Sequence, residues 1–460
     1  MHRMKQADNR QVNLTQGSVT WGLVRFSIPV IVGGLLQALY GIVDMSVAGQ
    51  YIGDNALSGI TNGGMIMTLL TFLAMGLSFG SNTLIAQYYG AGCTEERVRA
   101  SETTVILNLA VGLLLSLVLA VLANPIMLLL RPPAFAEAVT YFRICALGLV
   151  FIFGYNGLTS IIKALGNSRV TLLFILMAAI TNVLLDLLLV VVFRMGVEGV
   201  AIATVCAQAA SCLGALAYIL ANHDLYGVKM HTMKFSAEDG RAMVKIGVPS
   251  ALQFVLNGLS FLVLNKLMNQ YAAVEISAAY GVSTKLRDLG VLFLSSTQGT
   301  CSAMVAQCLG SGLVERAKKV VYSTVAFDLA ITALVLLLFE TQAPLFCSLF
   351  SGEPQTIQLA AVMIRIELLG MWGYCFFTPI HGLATGSGHA GFVLLNGFLF
   401  ICLVQIVSGF LLNHFVGYQG VNISFIIGHV APIPHCVYFL YSKKWAKNRI
   451  TTSLCSSEIY

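Results

Sequence analysis

Long apolar stretches alternate with short polar ones along most of this chain. Each stretch is at least as long as the roughly 20 residues that a helix needs to cross the hydrocarbon of a bilayer. Charged residues gather in the short stretches between them. The pattern predicts twelve membrane-spanning helices, at residues 24–50, 57–88, 101–124, 138–160, 170–192, 199–221, 247–269, 277–308, 320–340, 358–381, 392–412 and 420–441.

The second half of the chain repeats the first at an offset of 220 positions. Long internal repeats of this kind mark a duplicated structural unit. The offset joins Pro29 to Pro249, Ala86-Gln87 to Ala306-Gln307, Gly90-x-Gly92-x-x-Glu95 to Gly310-x-Gly312-x-x-Glu315, and Ala164-x-Gly166 to Ala384-x-Gly386. Six spans separate matching residues, so both halves enter the membrane in the same direction. Parallel repeats related by an axis along the membrane normal, with a cavity between them, are typical of transporters.

The repeat defines the predicted domains. We expect an N-lobe at 1–221 with spans one to six, and a C-lobe at 247–460 with spans seven to twelve and a cytoplasmic tail. The longest hydrophilic connection, 222–246, carries charges of both signs and is predicted to be a cytoplasmic linker.

Composition agrees with a membrane protein. Hydrophobic residues make up 57% of the chain and charged residues 10%, whereas about a quarter of an average soluble domain is charged. The net charge of +6 does not indicate nucleic-acid binding, because the basic residues are spread over short loops instead of forming one patch. Most of them fall on the side that holds both termini. By the positive-inside rule, both termini are predicted to be cytoplasmic.

Two acidic residues lie deep within spans of the first half, where each charge costs roughly 2.5–3.5 kcal/mol unless it has a partner or a function. They are Asp44 in the first span and Asp186 in the fifth. Counting residues from the span ends places both at a similar height in the outer half of the membrane, together with Thr204. Asn182 lies one helical turn before Asp186 on the same face.

These four residues are predicted to form a cation site. Oxygen ligands suit a hard cation such as Na⁺, and two close carboxylates can instead share one proton because they repel each other when both are ionised. The side chains do not discriminate H⁺ from Na⁺ as the coupling ion, and no other metal and no cofactor is expected. The competing interpretation is that they only join helices through hydrogen bonds.

Four motifs resemble those of the multidrug and toxic compound extrusion (MATE) transporters. The resemblance runs from Leu23 to Lys444 and covers both halves. Its motifs are Ile28-Pro29 followed by Gln37-x-x-Tyr40-x-x-x-Asp44-x-x-x-x-Gly49, the AQYYGAG sequence at 86–92, Leu165-Gly166-Asn167-Ser168-Arg169, and Gly196-Val197-x-Gly199-Val200-Ala201.

This resemblance implies an all-α fold with two six-helix lobes forming a V around a central cavity. It also implies antiport: cationic, lipophilic compounds leave as H⁺ or Na⁺ enters. We therefore expect a monomer in the inner (plasma) membrane whose partners are organic cations and lipids. The set Asp44, Asn182, Asp186 and Thr204 matches the N-lobe cation site of archaeal and DinF-like members.

The same resemblance assigns further residues. Gln37, Tyr40 and Asn156 match positions that line the N-lobe cavity, although interhelical hydrogen bonding would explain them equally well. Pro29 removes one helical hydrogen bond and can bend the first span, as is thought to happen on protonation in similar transporters. A tolerated kink is the alternative.

The C-lobe departs from the pattern of NorM-like members. Asn257 stands where they carry a glutamate, and the region near Tyr374 lacks their aspartate, so coupling is predicted to use the N-lobe. Asn257 and Glu367 are nevertheless candidates for the substrate cavity. For Glu367, an ion pair with Arg365 or Lys285 is the competing prediction, and Lys285 with Asp288 is expected to form a self-neutralised pair.

Two other functions remain open at this stage. A flippase for lipid-linked oligosaccharides would share the architecture of the wider superfamily, but many flippases have extra spans or cavity arginines. A membrane enzyme or receptor would not need the duplication, and the spans contain no HExxH motif. We therefore expect a transporter and not an enzyme.

Overall fold

The computed structural model describes residues 14–229, 231, 233–271 and 274–447, and only the backbone of Asp54 and Val274. The predicted C-terminal tail lies largely outside this range. All regular structure in the described residues is helical. The helices are α1 Val19–Tyr51, α2 Asp54–Ala91, α3 Thr94–Val121, α4 Ala123–Leu130, α5 Phe135–Leu147, α6 Leu149–Ala164, α7 Ser168–Asp186, α8 Val197–Ala221, α9 His223–Tyr226, α10 Ala237–Met268, α11 Val274–Gly310, α12 Val314–Ser348, α13 Pro354–Leu369, α14 Met371–Gly386, α15 Ala390–Asn396, α16 Gln405–Val416, α17 Gln419–Val430 and α18 Ile433–Ser442.

Within the described residues, ten helical segments are long and apolar enough to cross a membrane, or up to twelve if two bent pairs each count as one span. The bent pairs are α5 with α6, at 43°, and α13 with α14, at 42°. Gly148 and Gly370 lie at the two breaks, where an added Cβ would approach Val205 to 2.7 Å and Phe425 to 2.6 Å. The all-α, polytopic fold class is confirmed.

The two halves share several local features. π-helical turns follow α7 at Leu187–Val192 and follow α15 at Gly397–Val404, which are equivalent spans of the two halves. The repeated glycine turn also recurs, with φ of 78° at Gly92 and 72° at Gly312. This left-handed conformation is readily adopted by glycine and ends a helix sharply.

The chain forms two compact units. Unit 1 contains 28–251, and unit 2 contains 14–27 and 252 to the end of the described chain. The boundaries between the units fall within helices and not in the predicted linker. α1 passes from unit 2 into unit 1 after Ser27, and α10 passes from unit 1 into unit 2 after Ala251. The seventh span also begins at Ala237, ten residues earlier than predicted and inside the predicted linker 222–246.

Buried polar contacts hold the early part of α10 in unit 1. Asp239 is fully buried, and its carboxylate accepts hydrogen bonds from Arg99 Nε at 2.7 Å and from the Tyr88 hydroxyl at 3.2 Å. In unit 2, Arg316 donates to the backbone carbonyl oxygens of Leu14, Gln16 and Gly17. The start of α10 and residues 14–17 both come directly before the apolar part of a span.

Small residues allow α2 and α10 to pack closely in unit 1. A Cβ added to Gly80 would collide with the carbonyl oxygen of Met243, and one added to Gly76 would collide with Ala251. From the other side, a Cβ on Gly247 would lie 2.8 Å from Cα of Leu77. Small residues one turn apart permit this approach of helix backbones in membranes.

Gly80→Ala is therefore expected to lower the free energy of unfolding by about 1–3 kcal/mol, the usual cost of overpacking, since backbone atoms must move. Thermal unfolding of the detergent-purified protein measures the effect. Gly64→Ala on the same helix is the control, because no atom lies within 4 Å of its added Cβ. Equal stability of the two variants would contradict the close packing.

Candidate functional site

The structure brings Asp44 and Asp186 together inside unit 1. Asp44 lies in the C-terminal part of α1, and Asp186 is the last residue of α7, where the π-helical turns begin. Both side chains are buried, and the two carboxyl groups are close enough to interact directly. Isolated π turns inside α-helices are frequent at functional sites.

Thr204 joins this pair from α8. Its hydroxyl lies 3.3 Å from Asp44 Oδ2 and 3.0 Å from the carbonyl oxygen of Val200 in its own helix. Because a hydroxyl has one proton, it shares that proton between the two acceptors. Thr204 therefore joins α8 to α1 at the Asp44 carboxylate.

Much of the hydrogen-bonding capacity at this site is unused. Asp44 Oδ1, both carboxylate oxygens of Asp186 and both amide atoms of Asn182 are buried without a hydrogen-bond partner in the described part of the chain. None of the ion pairs in that part includes Asp44 or Asp186. Uncompensated carboxylates are costly in an apolar interior, so this arrangement is suited to take up positive charge.

The donor set fits a proton or a monovalent ion. Asp44, Asp186, Asn182 and Thr204 offer hard oxygen ligands, the type that Na⁺ prefers, and the two carboxyl groups can alternatively share one proton. No cluster of three or more His, Cys, Asp or Glu suited to a metal ion occurs among the described residues.

Sequence reasoning missed two neighbours of the carboxylates. Tyr141 on α5 interacts with Thr204, with Cys145 and with Asp44, and Cys145 also interacts with Asp44. Both are buried. The available signal was a tyrosine within an apolar segment, followed by a cysteine on the same helix face four residues later.

A second polar group continues from Asp44 along α1. The Tyr40 hydroxyl interacts with Gln37, with Gln208 on α8 and electrostatically with Asp44. Gln208 was not among the predicted residues. Asn156 donates instead to the carbonyl oxygen of Ile152 in its own helix, at 2.9 Å. The structure thus places Gln37 and Tyr40 near Asp44. The hydrogen-bond acceptor of Asn156 lies within its own helix, α6.

In unit 2, the charged residues pair differently from the prediction. Glu367 is almost fully buried, and its Oε2 lies 3.6 Å from Nη1 of Arg287, not against Arg365 or Lys285. Arg365 pairs with Glu340 at 3.8 Å. Both predicted partners of Glu367 were therefore wrong. Arg287 lies on α11 two residues after Lys285, and the sequence alone does not reveal which face of α11 packs against α13.

The predicted pair of Lys285 with Asp288 is also wrong. Asp288 pairs with Arg287, Nη2 to Oδ1, at 3.1 Å, and Lys285 is exposed. Asn257 lies on α10, and its Oδ1 is buried without a hydrogen-bond partner among the described residues. Pro29 lies inside α1, which continues as one helix through Tyr51.

The comparison with protein families decides the identity. The MatE family model matches residues 29–188 and 249–411, once in each half of the chain. The chain belongs to the MatE family. The MATE resemblance is thereby confirmed, together with the multi-pass membrane location that the helices indicate.

Curated relatives of this MatE protein are bacterial multidrug proteins. The probable multidrug resistance protein YpnP of Bacillus subtilis (strain 168) is 25% identical over 96% of this chain and 99% of its own length. The multidrug export protein MepA of Staphylococcus aureus (strain MSSA476) is 24% identical over 88% of this chain and 90% of its own. The family is one of transporters, which confirms that the chain is a multidrug-efflux-type transporter and not an enzyme.

Solved structures share the fold. The outward-facing structure of a multidrug resistance MATE family transporter of the MOP superfamily has a TM-score of 0.89 at 19% identity, covering 94% of this chain and 98% of that one. A MOP superfamily transporter from Pyrococcus furiosus Vc1 has a TM-score of 0.86 at 19% identity, with the same coverage. At this identity the likeness establishes the MatE fold alone.

Proposed function

We propose that this MatE protein is an antiporter that exports lipophilic organic cations in exchange for inward movement of H⁺ or Na⁺. The observation that carries the proposal is the pair Asp44 and Asp186, two buried carboxyl groups close enough to interact electrostatically, with no cationic partner among the described residues. The names of the multidrug relatives support the class of substrate.

The electrostatics of the pair explain how exchange could be coupled. Two ionised carboxylates in a medium of low dielectric repel each other strongly, so the site is most stable when it holds one positive charge. Asn182 and Thr204 can orient that charge through their oxygens. A conformation that exposes the site to the side of high ion concentration favours loading, and loading shifts the population of conformations.

Substrate binding is assigned to the polar group next to the ion site. The Tyr40 ring and the amide of Gln37 offer an aromatic face and a hydrogen-bonding group, a combination that binds organic cations. Tyr40 interacts electrostatically with Asp44. A bound organic cation there and an ion at Asp44 would repel each other, which gives competition and hence exchange. Asn156 and Asn257 remain further candidates for substrate contact, as does Glu367, although its ion pair with Arg287 favours a structural role.

The membrane orientation is part of the proposal. With both termini in the cytoplasm, most lysines and arginines of the loops face the cytoplasm, as the positive-inside rule requires. Asp44 and Asp186 then lie toward the outer surface, where the inwardly directed gradient supplies the ion. We propose a monomer in the plasma membrane, because unit 1 by itself supplies all four residues of the ion site.

The test is efflux of a fluorescent organic cation from proteoliposomes with a proton gradient or a sodium gradient imposed separately. Efflux driven by one gradient, and stopped by the ionophore that collapses it, is the expected result and identifies the coupling ion. Folded protein that shows no efflux under either gradient would contradict the proposal and favour a lipid-linked oligosaccharide flippase. Measuring lipid scrambling in the same vesicles separates these two outcomes.

A further inference from the structure

Asp328 is a buried acidic residue that the proposed transport mechanism does not use. It lies about 20 Å along α12 from the start of that helix at Val314, and it has no exposed surface. Neither carboxyl oxygen has a hydrogen-bond partner in the described part of the chain, and none of the ion pairs there includes it.

Its polar neighbours use their own protons elsewhere. Thr297 on α11 lies beside the carboxyl group, but its hydroxyl donates to the carbonyl oxygen of Leu294 at 2.8 Å. Within the described ranges, the titratable groups that interact with Asp328 are two thiols, Cys301 on α11 and Cys375 on α14. Neither thiol supplies a positive charge.

The third helix packed against α12 contributes no counter-charge to Asp328 either. This helix, α13, carries Arg365 and Glu367. Arg365 pairs with Glu340, and Glu367 pairs with Arg287. An ionised Asp328 would therefore be an uncompensated charge in the apolar interior, an arrangement that proteins avoid by neutralising the group.

The repeat shows what the position requires. Asn108 is the equivalent residue of α3, 220 positions earlier, and it is also fully buried. Its amide Nδ2 donates to the carbonyl oxygen of Thr104 at 2.9 Å. Thr104 corresponds to Thr324, and both threonine hydroxyls donate to the carbonyl four residues back, at 2.9 and 2.8 Å.

The two positions thus share the preceding helical turn, with a buried threonine four residues back, but differ in one atom of the side chain. Aspartate and asparagine have the same shape, yet an ionised aspartate only accepts hydrogen bonds, whereas a protonated one can donate. Asp328 can reproduce the donation that Asn108 makes in the other half only when it carries a proton. Na⁺ fits less well, because it prefers several oxygen ligands and two of the neighbours here are thiols.

We propose that Asp328 is a second proton-binding site, located in unit 2 and separate from Asp44 and Asp186. The proton comes from solvent and adds to one carboxyl oxygen, so the group is a neutral carboxylic acid in the folded protein. This assignment does not depend on the transported substrate or on the ion that drives transport.

Linkage gives the sign of the effect. If Asp328 is ionised in the unfolded chain and protonated in the folded protein, folding takes up a proton, and stability must fall as the pH rises. Asp328→Asn removes that dependence while keeping the shape and the donor. Its thermal midpoint should match the wild type at acidic pH and exceed it by several degrees at alkaline pH.

The experiment compares three purified proteins: wild type, Asp328→Asn and Asn108→Asp. Infrared spectroscopy at neutral pH should show the carbonyl stretch of a protonated carboxylic acid that is lost in Asp328→Asn. Asn108→Asp, which introduces the same acid at the equivalent position, should become more sensitive to alkaline pH than the wild type. Since Asn108 is the natural residue in the other half, Asp328→Asn is expected to fold.

Two results would overturn the proposal. One is an infrared spectrum in which Asp328→Asn loses no carboxylic acid band and loses instead a carboxylate band. The other is a wild-type midpoint that depends on sodium concentration through Asp328 and not on pH, which would assign the site to a metal cation.

Discussion

Replacing Asp186 with asparagine should reduce ion-driven efflux by roughly 100-fold, the upper part of the range of coupling between two sites, while the helical fold remains. Asparagine keeps the shape of the side chain but removes the charge that attracts the ion. Asp186 has no hydrogen-bond partner among the described residues to lose. The substitution relieves the repulsion with Asp44, so thermal stability should stay equal or rise. Asp44→Asn should have the same effect on efflux.

The measurement is gradient-driven dye efflux from proteoliposomes together with the thermal midpoint of each purified variant. Glu340→Gln is a matched control, because its carboxylate is also in a span but is 72% exposed and lies in unit 2. That variant should retain wild-type efflux. Full gradient-driven efflux in both Asp44→Asn and Asp186→Asn would remove these residues from the mechanism.

The second large effect concerns stability in unit 2. Arg287→Met should lower the free energy of unfolding by about 3–5 kcal/mol, the cost of breaking a buried pair by removing one partner. Arg287 packs its guanidinium over Phe425 at 4.7 Å and faces the buried Glu367. Methionine replaces the packing but leaves Glu367 without a counter-charge.

The reciprocal change should be milder. In Glu367→Gln, Arg287 keeps its ion pair with Asp288 at 3.1 Å, so its charge still has a partner. The Asp288 side chain is largely exposed. Replacing both residues, Arg287→Met with Glu367→Leu, should restore most of the loss, since a well-packed apolar pair can substitute for a buried ion pair. Thermal unfolding of the three variants measures these differences. A double variant no more stable than Arg287→Met alone would show that the charge pair is not the cause.

The sequence was sufficient to predict the helical architecture because lipid imposes one dominant constraint. Backbone groups in hydrocarbon must bond within the segment, so long apolar runs become helices. The ends of the spans were less predictable. The charged residues Glu238, Asp239 and Arg241 were read as a loop, yet they form the first turns of α10 because Asp239 is buried against Arg99. Hydropathy cannot represent that contact between distant residues.

The candidate site was predictable only in part for a related reason. The cost of a charge in a span singled out Asp44 and Asp186, and counting along the helices placed them at one height with Thr204, which lies against Asp44 in the structure. Tyr141 and Gln208 are not costly in a helix, so neither attracted attention. Their roles follow from which helices pack together, and one sequence does not contain that information.

The crossing of α1 and α10 between the units has a consequence for biosynthesis. Residues 14–27 are made well before the other described residues of unit 2, which begin at 252. Leu23 and Phe26, buried in the finished protein, must wait until translation has passed residue 252 before the rest of unit 2 begins to exist. Unit 1 in turn is incomplete until the ribosome has passed residue 251. Neither half can mature alone, so a nascent chain of this protein depends on the insertion machinery to protect its first helix during that interval.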